Sequence, residues 1–256
     1  MLYHFVLASK ARNTLPLEED RLVKEIYGKM VCETIEEVLN PAWCAVLPID
    51  LQNDFMHADG AVGRAGGDLT AMEELLPKAV SFLNQTRELG IRIVHVRIVD
   101  LPDGESDSPA WIRAKGLISN VHAFAVEGTW GAQFSEGCEP RPGELVVTKH
   151  RSSAFVGTNL DLLLKNNGVK TVVIIGEQTP GCVEATYRDA AYYDFYNVLV
   201  EDCVAGRDRE LHEASIKIQK ARHDVVTMDQ VFSIWRRYRE GSLTAPALSG
   251  VPQLIG

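Results

Sequence analysis

The chain has 256 residues, 46% of them hydrophobic and 24% charged, enough for one large domain with a sizeable buried core. A net charge of −9 and an isoelectric point near 5.3 argue against a nucleic-acid backbone or an anionic membrane as partner, since an acidic surface is drawn to neither. The five cysteines (Cys32, Cys44, Cys138, Cys182, Cys203) are widely spaced with no C-x-x-C pair, a pattern that suits reduced thiols in a cytoplasm better than disulfides or a zinc knot.

At the start, MLYHFVLASKARNTLPLEED offers only a short apolar run before charged residues, which predicts no export signal, and no later window has the ~18 apolar residues of a membrane span. Residues 17–40 place Leu22, Ile26, Met30 and Val38/Leu39 at roughly helical spacing against an acidic face, predicting an amphipathic helix in an N-terminal extension, residues 1–40. Six short runs rich in β-branched residues then read as strands: 44–50, 91–99, 144–150, 171–176, 197–202 and 224–228. Segments of helical length stand between most of them, at 68–90, 157–168, after Cys182, at 209–223 and, at the end, 229–241. This alternation, with nearly continuous apolar strands, predicts an α/β domain over residues 41–240 built on a parallel sheet with helices on both faces. The long Gly- and Pro-rich connection 100–143 is expected to hold a short helix near Trp111 and to pass over the site. GAVGRAGGD (60–68) is not G-x-G-x-x-G and reads as a loop leading into the next helix. The apolar, aperiodic tail 241–256 and the helix at 17–40 are expected to cover a neighbouring subunit, making the protein a homo-oligomer.

Ligands of such sheets bind beyond the carboxyl ends of the strands. Three predicted strand ends carry reactive groups: Asp50, Lys149 and, just past the fourth strand, Cys182. In Thr179-Pro180-Gly181-Cys182, Thr suits an N-cap and Pro the first helical position, so Cys182 falls near the third helical residue. Unpaired N–H groups and the helix dipole there favour a thiolate and lower its pKa. Each residue also has a plainer reading: a core thiol for Cys182, a strand-end cap for Asp50, a solvated side chain for Lys149.

Taken together, IDLQNDF (49–55), VVTKHRSSAF (146–155) and GEQTPGCVEATYRDA (176–190) resemble the isochorismatase-like cysteine hydrolase superfamily in motif and order. The resemblance implies a three-layer α/β/α fold with a six-stranded parallel sheet, and an Asp50–Lys149–Cys182 triad. Asp50 would take the thiol proton, Cys182 would attack a carboxamide carbonyl, and Lys149 would hold Asp50 and balance the charge. It also implies a cis Glu177–Gln178 peptide that sets the Gln178 N–H beside that of Cys182 as an oxyanion hole. EGTWGAQF (127–134) and the segment after Lys149 resemble ureidoacrylate and biuret-type amidohydrolases, with Ser152 where a tyrosine is frequent. The expected substrate is therefore a small carboxamide, carbamoyl or ureido compound, with Phe55 and Trp130 as walls and Glu177 and Gln178 as polar contacts.

No metal or other cofactor is expected: the nicotinamidase branch uses an Asp-x-His pair after the second strand, whereas Leu101 and Pro102 follow Asp100 here. His95 reads as a core or strand residue. Isochorismatase or nicotinamidase chemistry, and a non-catalytic binding or scaffold protein on the same fold, stand as alternatives.

Overall fold

The computed structural model describes residues 23–119 and 121–244. Six strands form one sheet: β3 (Cys44–Ile49), β4 (Arg92–Ile98), β5 (Leu145–Lys149), β6 (Thr171–Glu177), β7 (Tyr196–Ala205) and β8 (Asp224–Val226). Their order is β5-β4-β3-β6-β7-β8, with every pairing parallel. The chain thus builds outward from β3 in one direction, returns to its other side at β6, and builds outward again. The boundary between β3 and β6 is the topological switch point, where the connections diverge and leave a crevice.

Period-two alternation divides the core into two layers. Along β3, Cys44 and Val46 pack on one side with Phe82 and Leu83 of helix α4 (Thr70–Glu88) and Trp235 of α9 (Met228–Arg239). Ala45, Leu47 and Ile49 pack on the other with Leu164 of α6 (Leu160–Asn166), Tyr187 of α7 (Glu184–Tyr192) and Ile216 of α8 (Arg209–Lys220). This is the expected three-layer arrangement.

The N-terminal extension differs from expectation. In place of an amphipathic helix, β1 (Val23–Ile26) and β2 (Lys29–Cys32) form an antiparallel hairpin, followed by the short helix α1 (Ile35–Val38). The local reason is the two-residue turn Tyr27-Gly28, where φ is 51° and 74°, a left-handed pair that closes a hairpin and that a helix cannot contain. Helix formation starts only at Thr34, whose side chain and that of Glu37 form a capping box. Residues 17–22 of the expected helix, and 245–256 of the apolar tail, lie outside the described residues; Leu243 packs against the core. The connection 100–143 carries the expected short helix, α5 (Pro109–Ser119).

Candidate active site

At the switch point, β3 and β6 end in register, Ile49 opposite Gly176. Gly176 has φ 114°, and a Cβ there would lie 2.2 Å from the Ile49 carbonyl oxygen, so no other residue lets the strands approach this closely. The next residue on each strand is thereby held near the other: Asp50, itself left-handed at φ 52°, and Glu177. The Glu177–Gln178 peptide is cis.

Conserving this corner requires more than Asp50. Gln52 is fully buried, and its amide donates to the carbonyls of Ile98 and Ala132, both at 2.9 Å, while accepting from Ile98 N–H at 2.9 Å. It ties the end of β3 to the end of β4 and to the turn Trp130–Ala132. Asp54 accepts from Ala61 N–H at 2.7 Å and Ala125 N–H at 2.6 Å. The glutamine and second aspartate of IDLQNDF are therefore scaffold, roles the motif alone does not reveal.

Asp50, Lys149 and Cys182 meet at this corner. Lys149 Nζ donates to Asp50 Oδ2 at 2.8 Å, to Cys182 Sγ at 3.2 Å and to the Arg151 carbonyl at 3.1 Å. Lys149 and Asp50 are fully buried, while Cys182 is partly exposed to the pocket. Asp50 Oδ1 is buried without a hydrogen-bond partner. Burial works to discharge Lys149, yet the Asp50 carboxylate and the sulfur hold its ammonium above the usual value. Burial pushes the Asp50 carboxyl up, opposed by Lys149.

The surroundings of the sulfur differ from those of an ordinary helix start. Burial pushes the Cys182 pKa up; Lys149 opposes this, and the nearby carboxylates of Asp50 and Glu177 add to it. Thr179 does not cap a helix: residues Thr179–Val183 form a wide π-type turn ahead of α7, with Gly181 at φ −133° and ψ −107°. The Thr179 hydroxyl instead pairs with His212 Nδ1 at 2.9 Å.

A small pocket opens in front of the sulfur. Phe55, Trp111 and Phe124 give it apolar walls, and Glu177, Gln178 and Arg207 polar ones. Phe55, expected as a wall, meets Phe124 edge-on at 5.2 Å. Trp130 is not a wall: it is 44% exposed and sits edge-on to His57 at 5.2 Å. Its turn is pressed backbone-first onto α2 (Asn53–Met56), where Asn53 donates to the Trp130 carbonyl at 3.0 Å and a Cβ on Gly131 would strike the Asp54 carboxylate, so the indole points outward. Trp111 of α5 takes that place. Arg207 was missed because β7 runs three residues past its expected end and carries the chain to the pocket; a strand ending in V-A-G-R was the available signal.

The donor set does not suit a metal. Asp100 accepts from Lys115 Nζ at 2.7 Å and Phe124 N–H at 3.1 Å, and Lys115 also bonds Asp107 at 2.5 Å. His95 is buried in β4 with Nε2 2.8 Å from Glu144 Oε2, as a core residue. Among the described residues no three His, Cys, Asp or Glu side chains converge to hold an ion.

The isochorismatase domain model matches residues 44–230, from the first residue of β3 into α9. The chain belongs to the isochorismatase family. Within the family it is 35% identical over 184 residues to maleamate amidohydrolase from Pseudomonas putida, covering 70% of this chain and 83% of that one. It is 28% identical over 174 residues to ureidoacrylate amidohydrolase RutB from Agrobacterium fabrum, covering 64% of this chain and 76% of that one. In fold it resembles a cysteine hydrolase from Pseudomonas syringae pv. phaseolicola, with a TM-score of 0.68 over 77% of this chain and 94% of that one at 21% identity. Among the described residues no helix is long and apolar enough to cross a membrane.

Proposed function

We propose that this family member is a cysteine-dependent amidohydrolase acting on a small carboxamide, carbamoyl or ureido compound through a thioester. The observation that carries the reading is the buried Asp50–Lys149–Cys182 cluster, in which Asp50 Oδ1 lacks a partner while Oδ2 is held by Lys149. Amide hydrolysis needs a nucleophile and a group that moves one proton twice, and this cluster supplies both.

Asp50 accepts the thiol proton as Sγ bonds to the substrate carbonyl carbon. The oxyanion that forms is met by the Gln178 and Cys182 N–H groups, a contribution of about 3–4 kcal/mol per donor. As the C–N bond breaks, Asp50 returns the proton to the departing nitrogen, and ammonia or an amine leaves. Water then gives its proton to Asp50 and its oxygen to the thioester; the C–S bond breaks and the thiol is restored. Lys149 keeps its charge throughout and limits how negative the buried site becomes.

Phe55 and Trp111 suit the faces of a planar substrate, and Glu177 and Gln178 its polar edge. Relatives named for maleamate and ureidoacrylate, compact amides that also carry a carboxylate, support this size class. Free thiols at all five cysteines agree with a cytoplasmic home. Neither nucleic acid nor membrane is a partner in this reading, and the working form is a homo-oligomer.

The test is ammonia or amine release across a panel of small amides, with acyl adducts on Cys182 trapped by acid quench and located by peptide mass. Turnover with an adduct on Cys182 supports the reading. No turnover of any amide by folded protein would move it to a non-catalytic binding role.

A further inference from the structure

We propose that Glu177 and Arg207 together read the end of the substrate remote from the scissile carbonyl, and that they select a neutral group bearing an acceptor beside a donor, a carbamoyl or ureido end, over a carboxylate. This rests on the amidohydrolase reading of the Asp50–Lys149–Cys182 cluster and adds to it the identity of what else the substrate carries.

Glu177 is the last residue of β6 and pairs in register with Ala205 of β7, so Arg207, two residues further on, comes up beside it. Both line the pocket that holds the Cys182 sulfur. Arg207 Nη2 donates to Gln178 Oε1 at 2.6 Å, which fixes the plane of the guanidinium. Its Nη1 is buried and has no partner. Glu177 is 3% exposed, and its Oε2 is likewise buried without a partner. The two charges sense each other, yet these two atoms are not bonded to one another.

Trp111 Nε1 and Asp50 Oδ1 of the same pocket are also buried without a partner, but Arg207 Nη1 and Glu177 Oε2 are the oppositely charged donor and acceptor brought together by neighbouring strand ends. Open buried groups of this kind are rare in folded proteins, because each loses its water and gains nothing in return. A ligand group that presents C=O to Arg207 and N–H to Glu177 satisfies both. A carboxylate offers two acceptors and no donor. It satisfies Arg207 but leaves Glu177 open and meets its charge.

Protonation alters this choice. Burial pushes the Glu177 carboxyl up to about 7; Arg207 and Lys149 oppose the rise, and Asp50 adds to it. The charged groups facing Glu177 are therefore Arg207, Lys149 and Asp50, with the Cys182 thiol responding to it in turn. Above that pH the Glu177–Arg207 pair has no net charge and favours the neutral end. Below it Glu177 becomes a donor, the pair carries one positive charge, and an anionic end is accepted.

The experiment uses folded Cys182→Ala protein, which cannot turn over, and calorimetric binding of succinamide and succinamate, which differ only in –CONH2 against –COO⁻. At pH 8.5 succinamide should bind at least about tenfold tighter, and the gap should shrink at least about threefold at pH 6. Adding Glu177→Gln, which keeps the shape and removes the charge, should nearly close the gap at pH 8.5 and abolish its dependence on pH. Equal or tighter binding of succinamate at pH 8.5, a gap indifferent to both pH and Glu177→Gln, or no binding of either compound would overturn the proposal. If Glu177→Gln does not fold, the pH comparison in Cys182→Ala alone decides. Failure of the amidohydrolase reading is separate: it is the absence of ammonia release by the wild-type protein, whatever the binding data say.

Discussion

Lys149 Nζ and Asp50 Oδ2 lie 2.8 Å apart across 99 residues of chain, and neither side chain sees solvent. Each makes the other's charge tolerable in the interior, so removing one leaves an isolated buried ion. Lys149→Met should destabilise the fold by about 3–5 kcal/mol at neutral pH, less as acid protonates Asp50, and should abolish turnover. Urea denaturation at pH 7 and at pH 4.5 measures the first effect; an unchanged midpoint at both would show that the pair does not hold the site together.

The proton-carrier role proposed for Asp50 separates from its structural one in Asp50→Asn. Turnover should fall by about 10²–10⁴-fold with circular dichroism unchanged. Because nucleophile and proton carrier act as one unit in the proposed mechanism, Asp50→Asn/Cys182→Ala should be scarcely slower than Cys182→Ala alone. Chelation with EDTA should leave the wild-type rate untouched. Near-normal turnover by folded Cys182→Ala, or loss of activity in EDTA, would refute the mechanism.

Thiol reactivity provides a check that needs no substrate. Cys44, Cys138 and Cys203 are buried, with burial pushing Cys138 and Cys203 up to about 12, whereas Cys182 opens to the pocket. Iodoacetamide should label Cys182 first despite its raised pKa, and Asp50→Asn should slow that labelling by removing the proton acceptor. Peptide mass mapping over time decides it; even labelling of all five cysteines would argue against an activated thiol.

At the amino end of β5, Glu144 binds Arg87 through two bonds of 2.7 and 2.9 Å, and His95 at 2.8 Å. Burial opposes its charge, but Arg87, the Arg141 N–H and His95 hold the carboxyl at about 2. A depressed carboxyl stabilises the fold above its ordinary pKa, and that contribution disappears as pH falls toward 2. Allowing for solvent screening, Glu144→Gln should cost about 1–2 kcal/mol at pH 7 and little at pH 2.5, with kcat unchanged. A thermal-melt series against pH, with rates measured in parallel, tests both parts.

Assembly is the fifth expectation. Tyr27 at the hairpin tip is 99% exposed, and Tyr192 and Leu117 are exposed at 74% and 71%. Multi-angle light scattering at micromolar concentration should give a multiple of 28.3 kDa; a monomer mass would count against the homo-oligomer.

The six strands and the Asp50–Lys149–Cys182 cluster were legible because each depends on a local signal: an apolar run long enough to fill a strand, and a reactive residue at its end. What escaped depends on partners distant in sequence. Trp130 and Trp111 are alike as letters, and only the packing of the Gly131 turn against Asp54 turns one outward and leaves the other to the pocket. Arg207 lies beyond a strand whose length is set by its register with β6, not by its own composition. The β1–β2 hairpin was obscured by chance: Leu22, Ile26 and Met30 fall at helical intervals, while the Tyr27-Gly28 turn that overrides them occupies two residues. The raised thiol pKa followed from burial beside two carboxylates, which no local motif encodes.

The reversal of strand order between β3 and β6 has a consequence for how the chain can be cut. The part through β5 carries Asp50 and Lys149, and the part from β6 onward carries Cys182, Glu177 and Arg207. Each supplies three strands of the sheet, but the helices are shared, α9 packing beside α4 over β3 and α7 packing under it. In the proposed mechanism neither part holds the nucleophile together with its proton carrier. In that mechanism hydrolysis is a property of the seam, and a nick in the exposed turn near Gly168 should give two inert fragments whose reassociation is followed by the return of activity alone.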